Sequence, residues 1–387
     1  MALVPRSLSG RNASRSTVPL PRENRISTGA DSDQLQSATD TLTGKVTTYG
    51  YVDQANNPTT HLTGVTQTGG TGDVNWAFAY DANGNRVSAH ESGAATFDQT
   101  LTFNAANQIT SSGYSYDGAG NLTASPGATY VYNGAEQMTS STVNGTTTSY
   151  AYAGASQAEL LSETTAGGPA YTYTYGKTDG TGVAEIDTET TNATSTSRVL
   201  SDAVTGQALD LTNAAGATAA FLVDGIGNQV GALTDTGTNA FHVSYDPYGT
   251  ATVSAGSTGS FWTQDPFGFK AGIRTSDAQN NLVKFGLRWY LTAVGSWTQE
   301  DTLDNPLDPK NANRYAYAGS DPINGIDPTG QQTYAHCVAK AVGAGAAVTA
   351  FGGAITTAEI GAFEGAAAGF VLGGVGGLIG GTISCSP

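Results

Sequence analysis

At 387 residues the chain has room for about two or three domains, and its net charge of −16 argues against nucleic-acid binding, which needs a basic face for the phosphates. Charged residues make up 12% and glycine fills 51 positions. With a dense scatter of Thr, Ser and Asn, that composition favours a turn-rich β protein over a helical one. Cys337 and Cys385 both lie near the C-terminus, while His61, His90, His242 and His336 are scattered. No CxxC or HExxH spacing occurs, and His336 beside Cys337 has no evident further ligands. Neither a metal nor another cofactor is expected.

Residues 1–43 read as a disordered basic and polar segment. Arg6, Arg11, Arg15, Arg22 and Arg25 are set against Glu23 in a Ser- and Pro-rich stretch. No apolar run follows those arginines, so no secretory signal is expected.

Residues 44–260 carry one theme at irregular intervals. YDANGNRV begins at Tyr80, FNAANQIT at Phe103, YDGAGNLT at Tyr116 and YNGAEQMT at Tyr132. Weaker copies start at Tyr152, Val223 and Tyr245. Each places an aromatic or apolar residue before a polar one, then a small-residue turn and an apolar position. Asp or Asn folds back on its own backbone and Gly tolerates positive φ, so each unit reverses the chain. Alternating runs such as TYVY and TSYAY supply strands. The unit is a β-hairpin, and stacking many of them hides edges that one alone exposes.

Residues 261–330 form a separate, proline-punctuated core. Asp-Pro occurs at Asp308-Pro309, Asp321-Pro322 and Asp327-Pro328, and each proline disfavours helix around it. Stiff turns are expected, with RYAYAG between them alternating large and small residues as a short strand does. The full stretch 285–330 reads FGLRWYLTAVGSWTQEDTLDNPLDPKNANRYAYAGSDPINGIDPTG.

This string, preceded by the YD octapeptides, resembles the Rhs/YD-repeat family. There the usual form runs GxRYYDPxxGRFxxxDP, then NxYAYxxxxPxxxxDPxG, between a β shell and a variable C-terminal toxin. The resemblance covers roughly residues 80–330. It implies a mainly β fold in which repeats wind into a spiral shell, or part of one, closed at one end by the core. It also implies that the core cuts the chain after DPxG as an aspartic protease does. Such chemistry needs two close carboxylates, because like-charge repulsion raises one pKa and lets one act as base and the other as acid. Asp301 follows the GRF-like element, Asp327 belongs to DPTG, and Arg288 matches the family arginine that orients a carboxylate. Cleavage then falls at Gly330 and Gln331. The chain departs from the pattern at Trp289, Leu291, Ser296 and Gln331.

Residues 331–387 turn to Gly, Ala and Val. Gly361, Gly365, Gly369, Gly373, Gly377 and Gly381 recur at every fourth position, a spacing that forms a small ridge on a helix and admits a close neighbour. The charge-free run 365–383 would span about 28 Å, near a bilayer's hydrocarbon thickness. An antiparallel helical hairpin turning near Gly361 would bring Cys337 and Cys385 together, with a disulfide expected in an oxidising setting. The functional expectation is a polymorphic toxin of interbacterial competition, secreted or at the cell surface as the family implies. Its shell carries a glycine-zipper, pore-forming tail that enters a lipid membrane. An immunity protein and a delivery machinery, or the remainder of a longer shell, are the expected partners. The competing expectation is a structural or adhesive surface protein anchored by the tail.

Overall fold

Asp117 shows why each YD octapeptide reverses the chain. Its Oδ1 accepts the N–H groups of Ala119 at 3.0 Å and Asn121 at 2.9 Å, while Asn121 Nδ2 donates to Oδ2 at 3.0 Å. The backbone closes the loop through Asp117 N–H to Asn121 O at 2.9 Å. Gly120 takes φ of +87°, the left-handed conformation that this turn demands. The same side-chain pattern recurs at Asp81, Asn104, Asn133, Asp224 and Asp246. In two copies the left-handed position is not glycine: Asn107 and Glu136 hold it at φ of 61° and 60°. Asp53, Asp179 and Asn213 build the same turn at places that the octapeptide pattern overlooks.

The computed structural model describes residues 27–28, 34–40 and 44–335, apart from 71, 154–157, 180, 204, 276–280, 303–311 and 332–333. The weaker repeat copy at Tyr152 has its turn outside the described residues. Between turns, strands pair antiparallel with their sequence neighbours. Among the described residues they make a seven-stranded ribbon from Ser27–Thr28 to Phe97–Thr100 and a fourteen-stranded ribbon from Ser115–Tyr116 to Ala251–Ala255. The mainly β, antiparallel expectation holds. The β region starts earlier than the boundary at 44, however. Leu35–Thr39 is a strand paired with Val46–Gly50, and Leu35 is buried among Tyr49, Tyr51 and Leu62. One apolar anchor with a paired backbone is enough to order a stretch whose composition reads as disordered.

Side chains alternate along the ribbons, so one face is buried. Met138, Tyr150, Leu160, Ile186, Val199 and Leu211 line that face of the long ribbon. Leu160 is fully buried whereas its neighbour Leu161 is 42% exposed. Leu160→Ala is expected to cost about 2–5 kcal/mol and Leu161→Ala less than about 0.5 kcal/mol, read as shifts in the urea midpoint.

Both ribbons close on the segment after 260. It holds a four-stranded sheet of Ile273–Arg274, Leu282–Phe285, Arg288–Leu291 and Ser296–Trp297. Trp289, Leu291 and Val294 join the core of the long ribbon, and Ile323 joins that of the short one. Three positions that depart from the family motif are explained by this packing. Trp289 Nε1 donates to Tyr152 Oη at 2.9 Å, Leu291 is buried, and Ser296 Oγ donates to Tyr315 O at 3.1 Å.

RYAYAG is not the expected strand. Ala316 makes a single bridge to Ser296, and the chain then enters a 3-10 turn over Tyr317–Ser320. Within that turn Ala318 has φ of 50° and Ser320 φ of 62°. Left-handed residues break a strand's period, and the turn instead delivers Tyr315 and Tyr317 to different partners. Tyr315 Oη donates to Gly120 O at 2.6 Å, while the Tyr317 ring packs 4.4 Å from that of Tyr290.

Candidate functional site

Arg288 opens the strand Arg288–Leu291, and the hairpin before it points its side chain into the core, where it is 4% exposed. The guanidinium lies 4.2 Å from the Trp297 ring, and its planar fork serves four acceptors. Nη2 donates to Asp301 Oδ2 at 2.7 Å and to Asp327 Oδ2 at 3.2 Å. Nη1 donates to Arg314 O at 3.0 Å, and Nε donates to Gly330 O. Burial pulls the Arg288 pKa below its ordinary value, and the two carboxylates oppose that shift. Arg288, Asp301 and Asp327, far apart in the chain, therefore meet at one guanidinium nitrogen.

Asp301 is held from the other side. Its N–H donates to Arg314 O at 3.1 Å, and Arg314 Nε returns a bond to Asp301 O at 2.9 Å. Asp327 is 1% exposed, and its Oδ1 accepts from Thr329 Oγ1 and from Gln331 N–H, both at 3.1 Å. The last contact gives the Asp-Pro carboxylate the amide-capping role common in turns. It also places that carboxylate against the nitrogen of the Gly330–Gln331 peptide.

The peptide itself is clamped. Gly330 adopts φ of +67°, its carbonyl faces Arg288, and Leu287 N–H donates to Thr329 O at 3.0 Å. Gln331 Nε2 donates to Thr302 Oγ1 at 2.9 Å, so the polar residue found here instead of an apolar one has a polar partner beside Asp301. Asp308 lies outside the described residues, as do the zipper glycines and both cysteines. Among the described residues no His, Cys, Asp and Glu group could hold a metal ion, and no helix is long and apolar enough to cross a membrane.

Sequence reasoning also misses two buried charges, one on this core and one on the long ribbon. Lys284 is buried with its pKa pulled down to about 7 by desolvation, and its Nζ donates to Ala158 O at 3.2 Å. Glu189 is 3% exposed on the buried face of the long ribbon. Alternation reveals neither: Lys284 lies on a strand buried throughout, and Glu189 is three residues from the buried Ile186, across an irregularity in the pairing.

Ribbons of sequential YD hairpins, packed on a core with a buried arginine between two aspartates, define a YD-repeat β-shell protein. The chain belongs to the Rhs/YD-repeat family: the family model described as Teneurin YD-shell matches residues 39–323. Comparison with curated proteins gives no match. Among solved structures the chain is similar to a TcdB2-TccC3 crystal structure, at 16% identity and a TM-score of 0.38, covering 77% of this chain and 19% of that one. It is also similar to a Tc holotoxin pore of Photorhabdus luminescens, at 15% identity and a TM-score of 0.36, covering 77% and 18%. The chain thus spans about a fifth of the length of those solved chains.

Proposed function

We propose that the core hydrolyses its own Gly330–Gln331 peptide bond and thereby frees residues 331–387, a membrane-active segment carried by a toxin-associated YD shell. The observation that carries this reading is the hydrogen bonding of the peptide at both ends. Gly330 O accepts from Arg288 Nε, and Gln331 N–H donates to Asp327 Oδ1 at 3.1 Å.

Repulsion between two carboxylates held at one guanidinium nitrogen favours a form in which one of them carries a proton, against the pull of Arg288 toward full ionisation. Asp301, the more exposed of the two at 15% against 2%, serves as base and takes a proton from an attacking water. The water oxygen bonds to the Gly330 carbonyl carbon while Arg288 stabilises the charge that develops on its oxygen. As the water adds, the Gln331 nitrogen becomes pyramidal and inverts so that its lone pair faces Asp327, and protonated Asp327 gives its proton to it as the C–N bond breaks. The products are a C-terminal carboxylate at Gly330 and a free amine at Gln331.

N-terminal sequencing of the smaller fragment is expected to begin at Gln331. Asp301→Asn and Asp327→Asn each slow cleavage by about 10²–10⁴-fold, the usual contribution of a positioned acid or base. A fragment beginning elsewhere, or unchanged rates in both variants, refutes the assignment.

The membrane-active reading of 331–387 rests on its glycine spacing and lack of charge. A synthetic peptide of those residues is expected to release dye from liposomes, and absence of leakage refutes it. The shell's secreted or surface location, its delivery machinery and an immunity partner belong to the same proposal.

A further inference from the structure

A second group of buried charges lies on the long ribbon, away from Arg288. Glu163, on Glu159–Thr165, is 1% exposed, and Tyr173 Oη donates to its Oε1 at 3.3 Å. Glu189, on Ala184–Thr191, stands opposite Tyr173 in the strand pairing. A plug formed by residues 260–275 covers both. The plug is docked by Ser197 Oγ donating to Gln264 O at 2.9 Å, Ala214 N–H donating to Gln264 Oε1 at 2.8 Å, and Asn213 Nδ2 donating to Ser260 Oγ at 2.9 Å. It brings in Asp265, 1% exposed, and Arg274.

Three carboxyl groups and one guanidinium therefore meet around a small cleft that Tyr171 and Tyr173 also line. Arg274 donates from Nε to Asp265 O at 2.9 Å and from Nη2 to Trp262 O, and its guanidinium stacks 4.1 Å from the Trp262 ring. Asp265 Oδ2 accepts from Gln229 Nε2 at 2.5 Å, and its Oδ1 accepts from Phe267 N–H at 3.0 Å. Glu189 Oε1, by contrast, is buried and has no hydrogen-bond partner among the described residues. Tyr245, at the end of the strand Asn239–Tyr245, also feels Asp265 and Arg274.

We propose that Glu189 and Asp265, packed beside Glu163, form a proton-held clasp: the plug 260–275 stays seated while the pair keeps its protons and lifts from the ribbon as they are lost. Burying several carboxylates against a single cation disfavours full ionisation, since desolvation and mutual repulsion act in the same direction. Burial pushes the Glu189 pKa from 4.5 up to about 8, with Asp265 and Glu163 adding to the shift and Arg274 opposing it. Burial likewise raises Asp265 from 3.8 to about 7, against the pull of Arg274.

The direction of the linkage follows. An opened plug exposes carboxyls of ordinary pKa, so opening releases protons between the ordinary and the raised values. Closure is fully favoured below about pH 4 and loses its proton-linked part as pH rises to about 8.

Hydrogen–deuterium exchange of the full chain from pH 5 to 9, corrected for intrinsic exchange rates, tests this. Opening of 260–275 is expected to rise up to about tenfold per pH unit for each proton released, while Met138–Val143, a strand with no ionisable side chain, stays unchanged. Glu189→Gln keeps the shape and removes the ionisation, so its profile loses one proton's share of the slope. If that variant does not fold, the wild-type profile decides alone. A plug profile that is flat with pH, one that rises in step with Met138–Val143, or a Glu189→Gln slope equal to wild type overturns the proposal.

Discussion

Arg288→Met is expected to lower stability by about 3–5 kcal/mol, measured by the urea midpoint, and to abolish the proposed cleavage, measured by gel analysis of the purified chain. The size of the effect comes from what the substitution leaves behind. Asp327 is 2% exposed and Asp301 15% in their side chains, and both lose the cation that offsets their burial. Gly330 O and Arg314 O lose donors at the same time. Methionine retains apolar contact with Trp297, so the loss reports charge more than volume. The defect should shrink as pH falls, because protonating either carboxylate removes part of the uncompensated charge. Arg288→Met combined with Asp327→Asn is therefore expected to be more stable than Arg288→Met alone. A single variant within about 0.5 kcal/mol of wild type would show that the cluster contributes nothing.

Gly286→Ala has the second large effect, about 3 kcal/mol or more, because two constraints act on one atom. Gly286 sits at φ of +41°, where a side chain is strained. A Cβ there would lie 2.0 Å from Thr329 O and 2.4 Å from its carbonyl carbon. The hairpin that carries Arg288 must move away from the Thr329–Gly330 backbone, so the proposed cleavage is expected to fall with stability. Gly167, with φ of +71° and nothing within 4 Å of its added Cβ, provides the control. Gly167→Ala is expected to cost about 1–2 kcal/mol and to leave cleavage unchanged. Equal losses in the two variants would mean that contact with Thr329 is not what constrains Gly286.

The repeat turns are legible in the sequence because their chemistry is local. Asp117 and Asn121 satisfy one another within five residues, and so do Asp81 and Asn85. Asp53, Asp179 and Asn213 escape notice for the same physical reason stated in reverse. The turn needs only the first polar residue and a left-handed fourth position, not the flanking tyrosine.

Arg288, Asp301 and Asp327 are legible as separate motif positions. The bonds that join them span loops and are not visible in any local pattern. The strand expected at RYAYAG fails because alternation of large and small side chains does not reveal left-handed backbone at Ala318 and Ser320. Trp289 and Leu291 read as defects beside the family motif, but packing against the ribbon explains them. The cluster at Glu189 lies beyond local reading, since its partner Asp265 comes from a plug distant in the chain.

The most direct test of self-cleavage is the intact mass of the purified full chain, followed over time beside Asp327→Asn. Two masses summing to the full chain plus one water, with the break at Gly330–Gln331 and a single uncut mass in the variant, are the predicted result. One uncut mass for the unmodified chain, persisting through the same incubation, would contradict it.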